Sequence, residues 1–136
     1  MVNYVVDSSV WIDFFNNKSS SQIEKVKSLI PTTAAKGYIY VLPVIMQEVL
    51  QGIQDDKLYQ IVEENLFGFK LVDYNAYEFA LKSAELFRML RKKGLTIRKA
   101  NDCLIAAICI ENNFTIIHND KDFDHIAKYT KLKIYK

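Results

Sequence analysis

The sequence predicts an α/β fold built on a parallel sheet, and three observations carry that expectation. Short apolar, β-branched runs alternate with helix-length segments, apolar residues in those segments recur at helical spacing, and Gly, Pro and Asp punctuate most junctions. The composition supports such a core: of 136 residues, 50% are hydrophobic, 25% charged and 12% aromatic. With Gly 4, Pro 2 and no low-complexity stretch, a single domain over residues 1–136 is expected.

Val2 to Val6 reads as a buried strand, and Asp7-Ser8-Ser9 as the N-cap through which it feeds a helix. Tyr38 to Leu42, after Gly37, repeats the strand pattern, and Pro43 opens a helix that runs through Gln51 until Gly52 stops it. Asp55 to Leu66 is predicted helical, with Asp55 and Asp56 at its positive N-terminal end, and Phe69 to Val72 is a third strand. From Ala76 to Lys93, Tyr77, Ala80, Leu81, Ala84, Phe87 and Leu90 keep helical spacing, and Gly94 closes that helix. An almost wholly apolar helix from Asp102 to Glu111 follows, then a strand from Phe114 to Ile117. Leu132 to Tyr135 is expected as a last strand at an edge.

Several classes are excluded at once. The longest apolar run, Leu104 to Ile110, is far short of the ~18 to 20 residues a membrane helix needs. The opening MVNYVVDSSV lacks the positive n-region of a secretory signal, so a cytoplasmic protein is expected. Cys103 and Cys109 have neither zinc nor disulfide spacing and read as small buried hydrophobes. The net charge of +2 is unevenly spread: residues 69–136 hold 13 basic and 8 acidic side chains, which leans towards an anionic partner.

In a parallel α/β sheet, the residues just beyond the carboxyl ends of the strands gather along one edge, where ligands bind. Asp7 and Asp120 follow the first and fourth strands, while Glu48 and Asp102 lie early in helices that start near the same edge. Asp7, Glu48 and Asp102 interrupt apolar surroundings, with Asn101 the polar company of Asp102. Half-buried carboxylates are costly unless paired or metal-bound, and an all-oxygen set suits Mg²⁺ or Mn²⁺. One or two such ions, about 3.5 to 4 Å apart in the two-ion case, can activate water and stabilise a leaving oxygen in phosphodiester hydrolysis. Taken singly, Asp7 and Asp102 could instead be helix N-caps, Glu48 a solvent-facing residue and Asp120 a turn residue.

Four blocks in this order resemble the PIN-domain ribonucleases, and specifically the VapC-type toxins of bacterial toxin-antitoxin pairs: VVDSSVWIDFF at 5–15, VIMQEVLQG at 44–52, IRKANDCLIAAICI at 97–110 and TIIHNDKDF at 115–123. The resemblance spans nearly the whole chain. It implies a PIN-like three-layer α/β/α sandwich with a central, mainly parallel sheet, and Mg²⁺- or Mn²⁺-dependent endonucleolytic cleavage of RNA. The family's metal-binding acids map onto Asp7, Glu48, Asp102 and Asp120, and its hydroxyl near the first acid onto Ser8 or Ser9. It also implies a homodimer and a cognate antitoxin that blocks the acidic pocket. Two departures stand out: His118 replaces the more usual Ser or Thr, and Asp122 and Asp124 compete with Asp120 as the fourth acid. The Lys-Asp-Phe pattern assigns Asp122 to a helix cap and leaves Asp120 as the preferred ligand.

Six cations and no acid lie between residues 87 and 99, which are candidates to draw a polyanion towards the acidic site. Arg98 and Lys99 are the better RNA contacts, whereas Arg91 and Lys92, with Lys93, also suit a helix C-terminus. Trp11, Phe14 and Phe15 are expected in the core or at a dimer surface rather than stacked on a base. Neither His118 nor His125 sits in a zinc-like cluster. The rival reading is a non-catalytic PIN-like RNA-binding scaffold. A phospho-receiver is disfavoured because a single acid, not a pair, follows the first strand.

Overall fold

Val5 and Val6, both fully buried, end a strand that the abrupt polarity of Asp7-Ser8-Ser9 turns into a helix. In the computed structural model, which describes residues 2–30 and 38–136, this gives β1 (Asn3–Val6) and α1 (Ser8–Phe15). There follow α2 (Ser21–Leu29), β2 (Ile39–Val41), α3 (Pro43–Gln51), α4 (Asp56–Phe67), β3 (Lys70–Leu71), α5 (Ala76–Lys92), α6 (Ala100–Asn112), β4 (Phe114–Ile117), α7 (Lys121–Tyr129) and β5 (Lys133–Ile134). The strands are ordered β3-β2-β1-β4-β5, and the pairs β1–β2, β2–β3 and β4–β5 are parallel. The expected α/β class is therefore what the chain adopts, with β5 at an edge as anticipated.

The chain divides into two units, Met1–Asp73 with Ile117–Asn119, and Tyr74–Ile116 with Asp120–Lys136. In the first, Tyr4 is in register with Ile39 and Tyr40 with Lys70, and Asp7 N–H donates to the Ile117 carbonyl at 2.9 Å. Helix α1 packs on α2 and α3, and α3 on α4. Trp11 is fully buried, stacked on Phe15 at 5.7 Å and tilted against Phe69 at 5.2 Å. That settles its place in the core. Edge strand β3 is two exposed residues, with the Lys70 ammonium 5.7 Å from the Tyr40 ring centroid.

In the second unit, α6 is packed by α5 and α7, and Thr115 of β4 is in register with Lys133 of β5. Burial on nearly every side of α6, from Cys103 through Cys109, explains its unbroken apolar sequence, and both cysteines are free and buried. The helix closes on Asn113, whose φ of 58° is the left-handed conformation Asn tolerates at a helix end.

Pro43, Gln51 and Gly52 bound α3 as predicted, but three expectations change elsewhere. The apolar helix begins at Ala100, not Asp102, because Lys99 takes the extended N-cap conformation. Helix α2 was not anticipated; its signal is Ser20, whose side chain accepts the Ile23 N–H at 3.1 Å, ahead of buried Ile23 and Val26. Of the expected stripe on α5, Leu90 is fully buried, but Tyr77, Ala80, Leu81 and Ala84 turn outward, with Tyr77 87% and Leu81 67% exposed, and the helix buries Phe79 in their place. Gly94 closes α5 as expected: with φ +84° it follows the cap residue Lys93, its N–H donates to the Arg91 carbonyl at 2.9 Å, and the Leu95 N–H donates to that of Leu90 at 3.0 Å. Gly37, expected before β2, lies outside the described residues.

Chemical denaturation separates the two faces of α5. Leu90→Ala is expected to cost about 2–5 kcal/mol, whereas Leu81→Ala should stay within about 0.5 kcal/mol of wild type.

Candidate metal centre

Two helices of the second unit start beside each other, and each brings an acid in its first turn. Asp102 is the third residue of α6, only 3% exposed, and its N–H donates to the Lys99 carbonyl at 3.0 Å. On α7, Asp120 occupies the N-cap in extended conformation and Asp122 the first turn. One oxygen from each of Asp102, Asp120 and Asp122 lies within 4.8 Å of the others.

Their roles differ from those the sequence suggested. Asp120 is the cap, since its Oδ1 accepts the Asp122 N–H at 2.9 Å, and Asp122 is not. Asp122 is 9% exposed, and its buried Oδ2 has no hydrogen-bond partner among the described residues. Asp102 is inside its helix and is no cap either. The second oxygen of Asp120 faces a cation, with Lys99 Nζ 3.9 Å from Oδ2. Three clustered carboxylates repel one another, and the positive ends of two helix dipoles offset only part of that cost. A buried carboxylate oxygen without a donor, in an all-oxygen set, fits a hard divalent cation.

In the first unit, Asp7 follows β1 at 6% exposure, and the Ser9 hydroxyl donates to its Oδ2 at 3.2 Å. Asp7 stands at the N-cap of α1, where its backbone carbonyl accepts from Val10 and Trp11 but its side chain makes no capping bond. Its carboxylate is thus not used as a cap, and Ser9, not Ser8, is the hydroxyl that orients it. Glu48 is half-buried on α3. His118 is buried, and its carbonyl accepts Gln22 Nε2 at 2.7 Å, a tether from α2 that the sequence did not reveal. The structure brings Asp102 and Asp120 together with Asp122, while Asp7 and Glu48 belong to the first unit.

Asn101, next to Asp102 on α6, lines a cavity of about 600 Å³ with Ala80, Ala84, Phe87, Arg88 and Leu104. Successive helical residues point about 100° apart, which turns Asn101 away from the side Asp102 presents. Among the basic residues, Arg91 lies 5.7 Å from the Phe87 ring and Lys93 5.4 Å from that of Tyr129, as suits a helix end. Lys92 and Arg98 are exposed. Burial pushes the Cys103 thiol up to about 11, with the negative fields of Asp102 and Asp122 adding to it, so it is no nucleophile.

Comparison with known proteins places this arrangement in context. Residues 4–129 match the PIN domain family. Ribonuclease VapC11 of Mycobacterium tuberculosis is 34% identical over 130 residues, covering 95% of each chain. Ribonuclease VapC1 of Methanocaldococcus jannaschii is 28% identical over 134 residues, covering 96% of this chain and 85% of that one. Among solved structures, VapBC2 from Rickettsia felis, bound to a promoter DNA fragment, superposes with a TM-score of 0.75 at 22% identity, covering 99% of this chain and 98% of that one. FitAcB from Neisseria gonorrhoeae gives 0.67 at 15% identity, covering 98% and 96%. At these identities the two structures speak for the fold alone.

The Cys103 thiol sets an alkaline signature. Its pKa is raised on folding from 9.0 to about 11, so its contribution is complete below the lower value and lost as pH rises towards the upper one. Between these limits wild type should lose more stability than Cys103→Ala, as measured by urea melts at stepped pH.

Proposed function

The chain belongs to the PIN-domain family, and on that premise we propose that it is a metal-dependent endoribonuclease, the toxin of a toxin-antitoxin pair. The observation that carries the chemistry is the convergence of Asp102, Asp120 and Asp122 within 4.8 Å at two helix N-termini. We assign Asp7, Glu48, Asp102 and Asp120 as the acids that hold Mg²⁺, or Mn²⁺ in its place, with Asp122 beside them. A cation bound there supplies activation of water and neutralisation of charge on the scissile phosphate.

The protein's own groups do the remaining work. Ser9 fixes the rotamer of Asp7 through its hydroxyl. Cations of the 88–99 segment, Arg98 and Lys99 foremost with Arg91 and Lys92 behind them, offset the repulsion between an acidic site and a polyanion. RNA hydrolysis of this kind needs no covalent enzyme intermediate, which agrees with a thiol at Cys103 held protonated. The family match runs through both units, which supports reading residues 1–136 as one PIN domain. No described helix is long and apolar enough to cross a membrane, and we assign the protein to the cytoplasm.

Two protein partners belong to the same reading. An antitoxin is proposed from the relatives, whose solved structures include VapBC complexes. A second copy is proposed for the outward face of α5, where Tyr77 and Leu81 leave large apolar area in water.

Cleavage of bulk cellular RNA in Mg²⁺ or Mn²⁺ tests the activity. Discrete fragments should appear, vanish with EDTA and fall by about a hundredfold or more in Asp7→Asn and Asp102→Asn, the loss of several kcal/mol of charge stabilisation. RNA retained in a salt-sensitive manner without cleavage would favour the non-catalytic scaffold. For the second copy, light scattering on a sizing column should report a dimer that Leu81→Asp converts to monomer with its circular dichroism intact.

A further inference from the structure

The ion pair between Lys99 and Asp120 is placed where a bound cation and an RNA phosphate would both compete for its members. Lys99 Nζ is 3.9 Å from Asp120 Oδ2, while Oδ1 of the same carboxylate is committed to the Asp122 N–H at 2.9 Å. The oxygen that faces Lys99 is therefore the one not engaged in capping α7. Lys99 is built into the frame of the site as well, since its carbonyl accepts the Asp102 N–H at 3.0 Å as the N-cap of α6. Its backbone is fixed beside one acid and its ammonium reaches another. Yet the side chain is 66% exposed, so the ammonium can leave Asp120 with little loss of packing.

We propose that Lys99 is a cation-exchange residue: it neutralises Asp120 in the metal-free protein, yields that oxygen to the divalent ion, and then binds the scissile RNA phosphate. The proposal deepens the divalent-cation reading of the acidic cluster and rests on it. Charge makes the exchange favourable. A divalent ion entering beside Lys99 meets a like charge, which weakens binding while no anion is present; a phosphate takes up the displaced ammonium and removes the penalty. Metal and RNA should thus bind cooperatively, each strengthening the other by the same factor.

The test measures Mn²⁺ binding calorimetrically on the purified chain, with and without a short non-hydrolysable RNA analogue, beside RNA cleavage. Without RNA, Lys99→Ala should bind Mn²⁺ about threefold to tenfold more tightly than wild type, as the nearby like charge is removed. The same variant should cleave RNA about tenfold or more slowly. Lys99→Arg should restore wild-type metal affinity, and Lys133→Ala, a change of equal charge at an exposed position of edge strand β5, should leave it within about twofold. In wild type the analogue should tighten Mn²⁺ binding, and in Lys99→Ala that coupling should disappear. Unchanged or weaker Mn²⁺ binding by Lys99→Ala, or RNA coupling that survives it, would overturn the exchange while leaving the metal site standing. Wild type that binds no Mn²⁺ would overturn the metal site itself and the exchange with it.

Discussion

Three carboxylate oxygens within 4.8 Å are the constraint around which the second unit is organised. Water would separate such charges, and a folded chain holds them together only by supplying opposing potential. Here that potential comes from backbone more than from side chains. Helices α6 and α7 start at the cluster, one with Asp102 in its first turn and the other with Asp120 at its cap and Asp122 just inside, so the positive ends of two helix dipoles meet the acids. The apolar length of α6 answers to its packing, since α5 and α7 cover the helix that carries Asp102. Lys99 supplies a side-chain cation within ion-pair reach of the cluster.

Much of the fold was legible because its signals are local. Pro43 and Gly52 bound α3, and alternation of apolar strand with helix declares the class. What periodicity cannot declare is direction. The stripe Tyr77, Ala80, Leu81, Ala84 is a true helical face, but only the position of α6 decides that Phe79 and Leu90 go inward and the stripe outward. Helix α2 escaped notice because its sequence, SQIEKVKSL, is polar apart from Ile23, Val26 and Leu29. A cap at Ser20 and two buried aliphatics are enough once the rest of the unit is there to receive them.

The site shows the same division. Asp7, Glu48, Asp102 and Asp120 could be singled out by their polarity in apolar surroundings and by their place after strands. The sequence pattern assigns the cap to Asp122 and not Asp120, because the choice depends on backbone angles that the letters do not show: Asp120 at φ −112° and ψ 123° is extended and caps, which sends Asp122 into the helix and into the cluster. Ser8 and Ser9 are equivalent as letters, and only the turn into α1 decides that Ser9 reaches Asp7. The tether from Gln22 to the His118 carbonyl joins residues 96 apart in sequence and has no local signature at all.

The two margins of the sheet carry a different consequence. Strands β3 and β5 are each two residues long and each contributes one lysine, Lys70 and Lys133. Short, charged borders of this kind offer little ladder for another chain to extend, and they oppose the edge-to-edge growth that turns β-proteins into fibrils. The two borders thus favour separate folded chains over sheet-to-sheet association.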